Sequence, residues 1–108
     1  MSLSTHVLDA AAGRPAPAVA VTLESWAENG WTLAAAANTD ADGRIADLGT
    51  PGSGMHRLRF DTGGYFAARG VATFYPEVSV VFEVTDPEQH YHVPLLLSPF
   101  AYSTYRGS

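Results

Sequence analysis

Four histidines and six arginines carry the reactive nitrogen chemistry of a chain that has no cysteine. His90 and His92 stand at i and i+2 in His90-Tyr91-His92-Val93-Pro94, so an extended backbone turns both rings to one face. Two imidazoles at that spacing suit either base activation of water or a metal such as zinc. A catalytic zinc wants a third protein ligand, for which His6 and His56 are the remaining histidines. The metal-free base is the reading we carry forward, with no metal and no cofactor expected. Arg44 follows the Asp42-Gly43 turn. Most single loop arginines are merely solvated, but a fixed charge on a planar fork also suits an anionic ligand or a developing oxyanion. His6 taken alone is an ordinary surface histidine, and Tyr105 taken alone is ordinary packing. Tyr105-Arg106-Gly107-Ser108 nevertheless groups ligand-contacting residue types, and Gly107 would let the backbone fold closely over a ligand.

The elements that must position these residues are short strands. Leu3, Thr5 and Val7 alternate with Ser4, His6 and Leu8, and Val19, Val21 and Leu23 alternate with Ala20, Thr22 and Glu24. This period of two defines one core face per strand. Trp31 to Thr39 is a third strand despite its four alanines, whose β propensity is weak. Leu58 and Phe60 mark a fourth, and Val78 to Val84 a fifth. Tyr91, Val93, Leu95 and Leu97 share the core face of the next strand, which leaves His90, His92, Pro94 and Leu96 on the other. Ser98-Pro99 turns the chain into a last strand, Ala101 to Arg106. One short helix is expected near Gly63 to Arg69. Ala10 to Pro17 and Thr50 to Gly54 read as loops, and no repeat or linker divides residues 1–108, so a single domain is expected.

Composition removes several classes of function. A net charge of −5 with scattered arginines offers no basic patch for a nucleic-acid backbone. No apolar run reaches the ~20 residues that span a bilayer, and a secretory start is not apparent, so a cytoplasmic protein is expected. Zero cysteines exclude disulfides and thiol catalysis. With 46% hydrophobic and only 16% charged residues, self-association is favoured.

Three blocks then connect the chain to a known family: Ser4-Thr5-His6-Val7-Leu8-Asp9, Thr39-Asp40-Ala41-Asp42-Gly43-Arg44-Ile45, and the run from His90 to Tyr105-Arg106-Gly107-Ser108. Their order and spacing resemble the transthyretin-related 5-hydroxyisourate hydrolase family. Tyr65-Phe66 and Phe74-Tyr75-Pro76-Glu77 extend the likeness over nearly the whole chain. The resemblance implies an all-β, transthyretin-like sandwich of two four-stranded antiparallel sheets with one short helix. It also implies a homotetramer whose facing sheets line a channel holding the active sites. The implied activity is hydrolysis of 5-hydroxyisourate to 2-oxo-4-hydroxy-4-carboxy-5-ureidoimidazoline in urate and purine degradation, with a small molecule as the partner. Of the residues that match the family, His92 is expected to be the base with His6 assisting, and His90 is the second choice. Arg44 would orient substrate and stabilise the oxyanion. Tyr105, Arg106 and Gly107 would bind substrate and close the pocket, and Ser108 would assist proton transfer through its hydroxyl or its carboxylate.

Two other classes compete. A transthyretin-like carrier of small aromatic ligands would share the fold without the chemistry, and transthyretin is similar to the family but lacks the Tyr-Arg-Gly-Ser ending. A self-assembling structural β-domain would carry the histidines as decoration and leave the three blocks unexplained.

Overall fold

The computed structural model describes residues 2–108, and Met1 lies outside the described residues. Nine strands and one helix follow the alternation in the sequence: β1 (Leu3–Asp9), β2 (Arg14–Pro15), β3 (Ala20–Ala27), β4 (Gly30–Asn38), β5 (Arg44–Ile45), β6 (Gly54–Phe60), α1 (Thr62–Ala67), β7 (Val78–Val84), β8 (Tyr91–Ser98) and β9 (Ala101–Thr104). They form two sheets, one in the order β4-β3-β6-β7 and one in the order β2-β1-β8-β9 with β5 also on β1. The two-residue strands β2 and β5 share one edge of β1, pairing with Leu8–Asp9 and Thr5–His6 respectively. Each sheet thus has four strand positions, as the sandwich reading requires. β1 and β8 pair in parallel, in register from Leu3↔Tyr91 to Asp9↔Leu97, while the other pairs are antiparallel.

The core lies where the alternation puts it. Leu3 and Val7 of β1, Leu58 and Phe60 of β6, and Leu95 and Leu97 of β8 are buried between the sheets. Each contributes roughly 1.5–3 kcal/mol of apolar burial. The alanine-rich strand forms because β3 pairs beside it, and Ala35 and Ala37 pack on the core. Leu23 pairs with Ala35 and Glu24 with Leu33, so Ala34 is the extra residue of a β-bulge. Glu28 and Asn29, both at positive φ, make the tight turn between β3 and β4.

Helix α1 is too short to be stable alone. Asp61 caps it by accepting from the Gly64 amide at 2.9 Å, and the Tyr65 hydroxyl donates to the buried Asp9 carboxylate at 2.7 Å. Burial and that bond push the Tyr65 phenol up to about 12. This fixes the helix to the end of β1. Among the described residues no helix is long and apolar enough to cross a membrane.

Candidate active site

The outer face of the β1-β8 sheet gathers the residues singled out in the sequence. Strand register does most of the work. His6 pairs with Arg44 on one side and Pro94 on the other, while Ser4 pairs with His92. Gly107 forms an isolated antiparallel bridge with His92. Two rows therefore lie side by side, Arg44-His6-Pro94 and Ser4-His92-Gly107. They are two residues apart along β1, or about 7 Å at the strand rise.

The turn that delivers Arg44 is built by its own residues. Asp40 Oδ1 accepts from the amides of Asp42 at 2.8 Å and Arg44 at 2.9 Å, so this carboxylate organises the turn. Gly43 has φ of 75°, and a Cβ there would stand 2.4 Å from the Val7 carbonyl oxygen. Only glycine lets the turn press against β1 so that the Gly43 carbonyl accepts from the Val7 amide at 2.7 Å. The Asp42 carbonyl then accepts from His6 Nε2 at 3.0 Å. A carbonyl can only accept, so Nε2 carries the proton and a neutral His6 leaves Nδ1 bare. Arg44 is exposed and has no ion-pair partner among the described residues.

His92 is held from two sides. Ser4 Oγ lies 2.8 Å from its Nδ1, and Gly107 lies against the ring so closely that a Cβ at 107 would meet His92 Cδ2 at 2.5 Å. The glycine is thus required by the imidazole itself, in addition to any ligand. Nε2 of His92 has no protein partner among the described residues. Burial lowers the His92 pKa below the ordinary 6.5, and the charges of His6, His90 and Arg44 act in the same direction, against an opposing hydrogen bond to Ser4. The ring is therefore neutral at neutral pH with one nitrogen available, the state a general base needs.

His90 is joined to this pair. Its Nε2 lies 3.1 Å from Ser4 Oγ and its Nδ1 lies 3.1 Å from Ser2 Oγ. The parity argument from sequence put His90 and His92 on one face; it did not single out Ser4 as the hydroxyl between them. The available signal was that Ser4 shares a face with His6 in the first block.

The C-terminal residues divide. Thr104 Oγ1 donates to the Pro94 carbonyl at 2.7 Å, and the Gly107 amide donates to the His92 carbonyl at 2.9 Å, so the segment is tied to β8. The regular strand ends at Thr104 rather than Arg106. The Arg106 guanidinium lies 4.6 Å from the Tyr91 ring centroid and donates to Gln89 Oε1 at 3.0 Å. Tyr105 is 58% exposed and Ser108 is also exposed. Tyr105, Arg106 and His92 border a cavity of about 240 Å³ floored by Val80, Phe82 and Val93. Among the described residues, no group of three or more His, Cys, Asp or Glu side chains is arranged to hold a metal ion.

A four-plus-four sandwich with this residue set on its outer sheet is a transthyretin-like architecture. Residues 3–107 match the HIUase/Transthyretin family, and the chain belongs to it. It is 49% identical over 109 residues to the 5-hydroxyisourate hydrolase of Salmonella typhimurium, covering 98% of this chain and 80% of that protein. It is 45% identical over 111 residues to the mouse 5-hydroxyisourate hydrolase, covering 98% and 94%. Among solved structures, Klebsiella pneumoniae 5-hydroxyisourate hydrolase superposes with a TM-score of 0.88 at 36% identity over the full length of both chains. Sea bream transthyretin in complex with thyroxine superposes at 0.92 with 39% identity, over 99% of this chain and 95% of that one. Backbone shape alone therefore does not separate hydrolase from carrier.

Proposed function

We propose that this chain hydrolyses 5-hydroxyisourate, opening its six-membered ring by adding water to a lactam carbonyl. The observation that carries the reading is His92: neutral, fixed through Nδ1 by Ser4, with Nε2 unpartnered on the face that also presents His6 and Arg44. His92 Nε2 takes a proton from water as the oxygen attacks, and the bare Nδ1 of His6 assists. Arg44 orients the substrate and stabilises the oxyanion. The proton is returned to the departing ring nitrogen, and the new carboxylic acid ionises. Tyr105, Gly107 and Ser108 close the pocket, and Arg106 contributes by anchoring the segment at Tyr91 and Gln89.

We further propose that the site is completed in a homotetramer. Among the described residues, strands β7 and β9 each leave one edge without a partner strand, all four residues of β9 are exposed, and Phe74, Val81, Phe100 and Tyr102 are exposed apolar groups. Such edges and patches are covered by self-association. Light scattering that returned a fully active monomer would remove this part of the proposal.

The test of the activity is turnover of freshly made 5-hydroxyisourate followed by ultraviolet absorbance, with unaided decay subtracted. The likeness to the thyroxine-bound transthyretin favours a second reading, a carrier of small aromatic ligands. That reading expects tight binding of an aromatic ligand and a rate no faster than buffer.

A further inference from the structure

The hydrogen bonds around Ser4 form a continuous chain with one sensible direction. For His92 Nε2 to accept a proton, the neutral ring must carry its hydrogen on Nδ1, which then donates to Ser4 Oγ at 2.8 Å. Ser4 has a single hydrogen to give, and its second neighbour is His90 Nε2 at 3.1 Å. That nitrogen accepts, so neutral His90 carries its hydrogen on Nδ1, where Ser2 Oγ at 3.1 Å receives it. Each donor finds an acceptor and no two hydrogens meet.

The two rings differ in setting. His92 is half-buried and His90 is exposed. A positive charge on His92 is opposed by burial and by His6, His90 and Arg44, whereas one on His90 is hydrated. During attack, however, His92 must hold the proton taken from water.

Resting on the hydrolase reading above, we propose that Ser4 and His90 are a proton store for His92. As His92 Nε2 takes the water proton, its Nδ1 proton passes to Ser4 Oγ and the Ser4 hydroxyl proton passes to His90 Nε2. One positive charge has moved outward to the exposed ring, and His92 is neutral again. When the ring C–N bond breaks, the shift runs backward and the Nε2 proton goes to the departing nitrogen. No proton is created or lost in the store; the one released when the new carboxylic acid ionises goes to water. Ser4 and His90 touch neither substrate nor the attacking water in this scheme, so they act as relay and positioning residues.

The experiment measures kcat and KM on freshly made 5-hydroxyisourate for the full chain and for Ser4→Ala, Ser4→Thr, His90→Ala and the Ser4→Ala/His90→Ala double variant, with added imidazole as the probe. Each alanine variant is expected to lose about ten- to a hundredfold in kcat with KM little changed. Ser4→Thr keeps a hydroxyl and retains the rate. Imidazole restores His90→Ala by replacing the missing ring, and it does not restore Ser4→Ala, where the link to His92 is cut. The double variant is no slower than the worse single, since both act on one path. Full kcat in either alanine variant, multiplicative losses in the double, or failure of imidazole to revive His90→Ala overturns the store. An unmodified chain that never outpaces buffer overturns the hydrolase reading itself and the store with it.

Discussion

Each sheet of the sandwich contains a serine directly opposite a histidine, and the two pairs have opposite fates. In the four-stranded sheet Ser25 pairs with His56, with Oγ 2.9 Å from Nδ1; in the other sheet Ser4 pairs with His92, with Oγ 2.8 Å from Nδ1. The local contact is almost the same. His56 points inward, is 4% exposed, lies 5.8 Å from the Phe82 ring, and uses Nε2 to donate to the Gly52 carbonyl at 2.7 Å. Both nitrogens are consumed, and the ring anchors the loop before β6. His92 points outward and keeps Nε2 free. What separates the structural histidine from the one proposed as base is the face of the strand and the second nitrogen, not the serine.

The sharpest way to break the comparison is to remove each ring. His92→Asn is expected to lower kcat about 10²- to 10⁴-fold while circular dichroism and assembly stay unchanged. Gly107→Ala comes next: its methyl group would displace the His92 ring, and a misplacement of about 1 Å is expected to cost roughly 10²-fold in rate. Retained activity in that variant would mean the imidazole is not held by this contact.

The pH profile sharpens the contrast further. His92 is depressed by burial first and by His6, His90 and Arg44 after it. Because only the neutral ring can serve as the proposed base, kcat/KM should fall with acid along a limb centred below the ordinary 6.5. A limb centred above 6.5 would contradict the assignment. His56→Ala, by contrast, should leave the kcat of the folded protein intact. It should cost about 1–3 kcal/mol of stability in urea unfolding, because a buried carbonyl and hydroxyl lose their partner. The smallest effect is expected at Glu24, which pairs with Arg57 at 2.7 Å on the outer surface. Glu24→Gln should move Tm by no more than a few degrees and leave activity unchanged.

Much of this was legible before any coordinates. Period-two alternation placed Leu3, Val7, Leu58, Phe60, Leu95 and Leu97 in the core because a sandwich rewards alternation directly, and the same parity put His90 and His92 on one outer face. The parallel pairing of β1 with β8 was not legible, since alternation says which face a strand buries and nothing of its neighbour's direction. The same gap hid both serines. Ser4 and Ser25 gain meaning only from register with residues far along the chain, and no local pattern encodes that. Gly107 was legible as a place of close approach to a ligand, and its close approach to the His92 ring depends on register that the sequence does not spell out. Arg106 was grouped with the ligand contacts by its neighbours in sequence, while its stacking on Tyr91 depends on how β9 ends at Thr104.

The central claim is that two similar serine–histidine pairs hold opposite tautomers, one closed by a backbone carbonyl and one open for base chemistry. Long-range proton–nitrogen NMR of the histidine rings at neutral pH reads this directly in the unmodified protein. The account predicts that His56 carries its hydrogen on Nε2 and His92 on Nδ1, with His92 Nε2 unprotonated. A His92 ring protonated on Nε2, whether as the opposite tautomer or as the imidazolium, would contradict it.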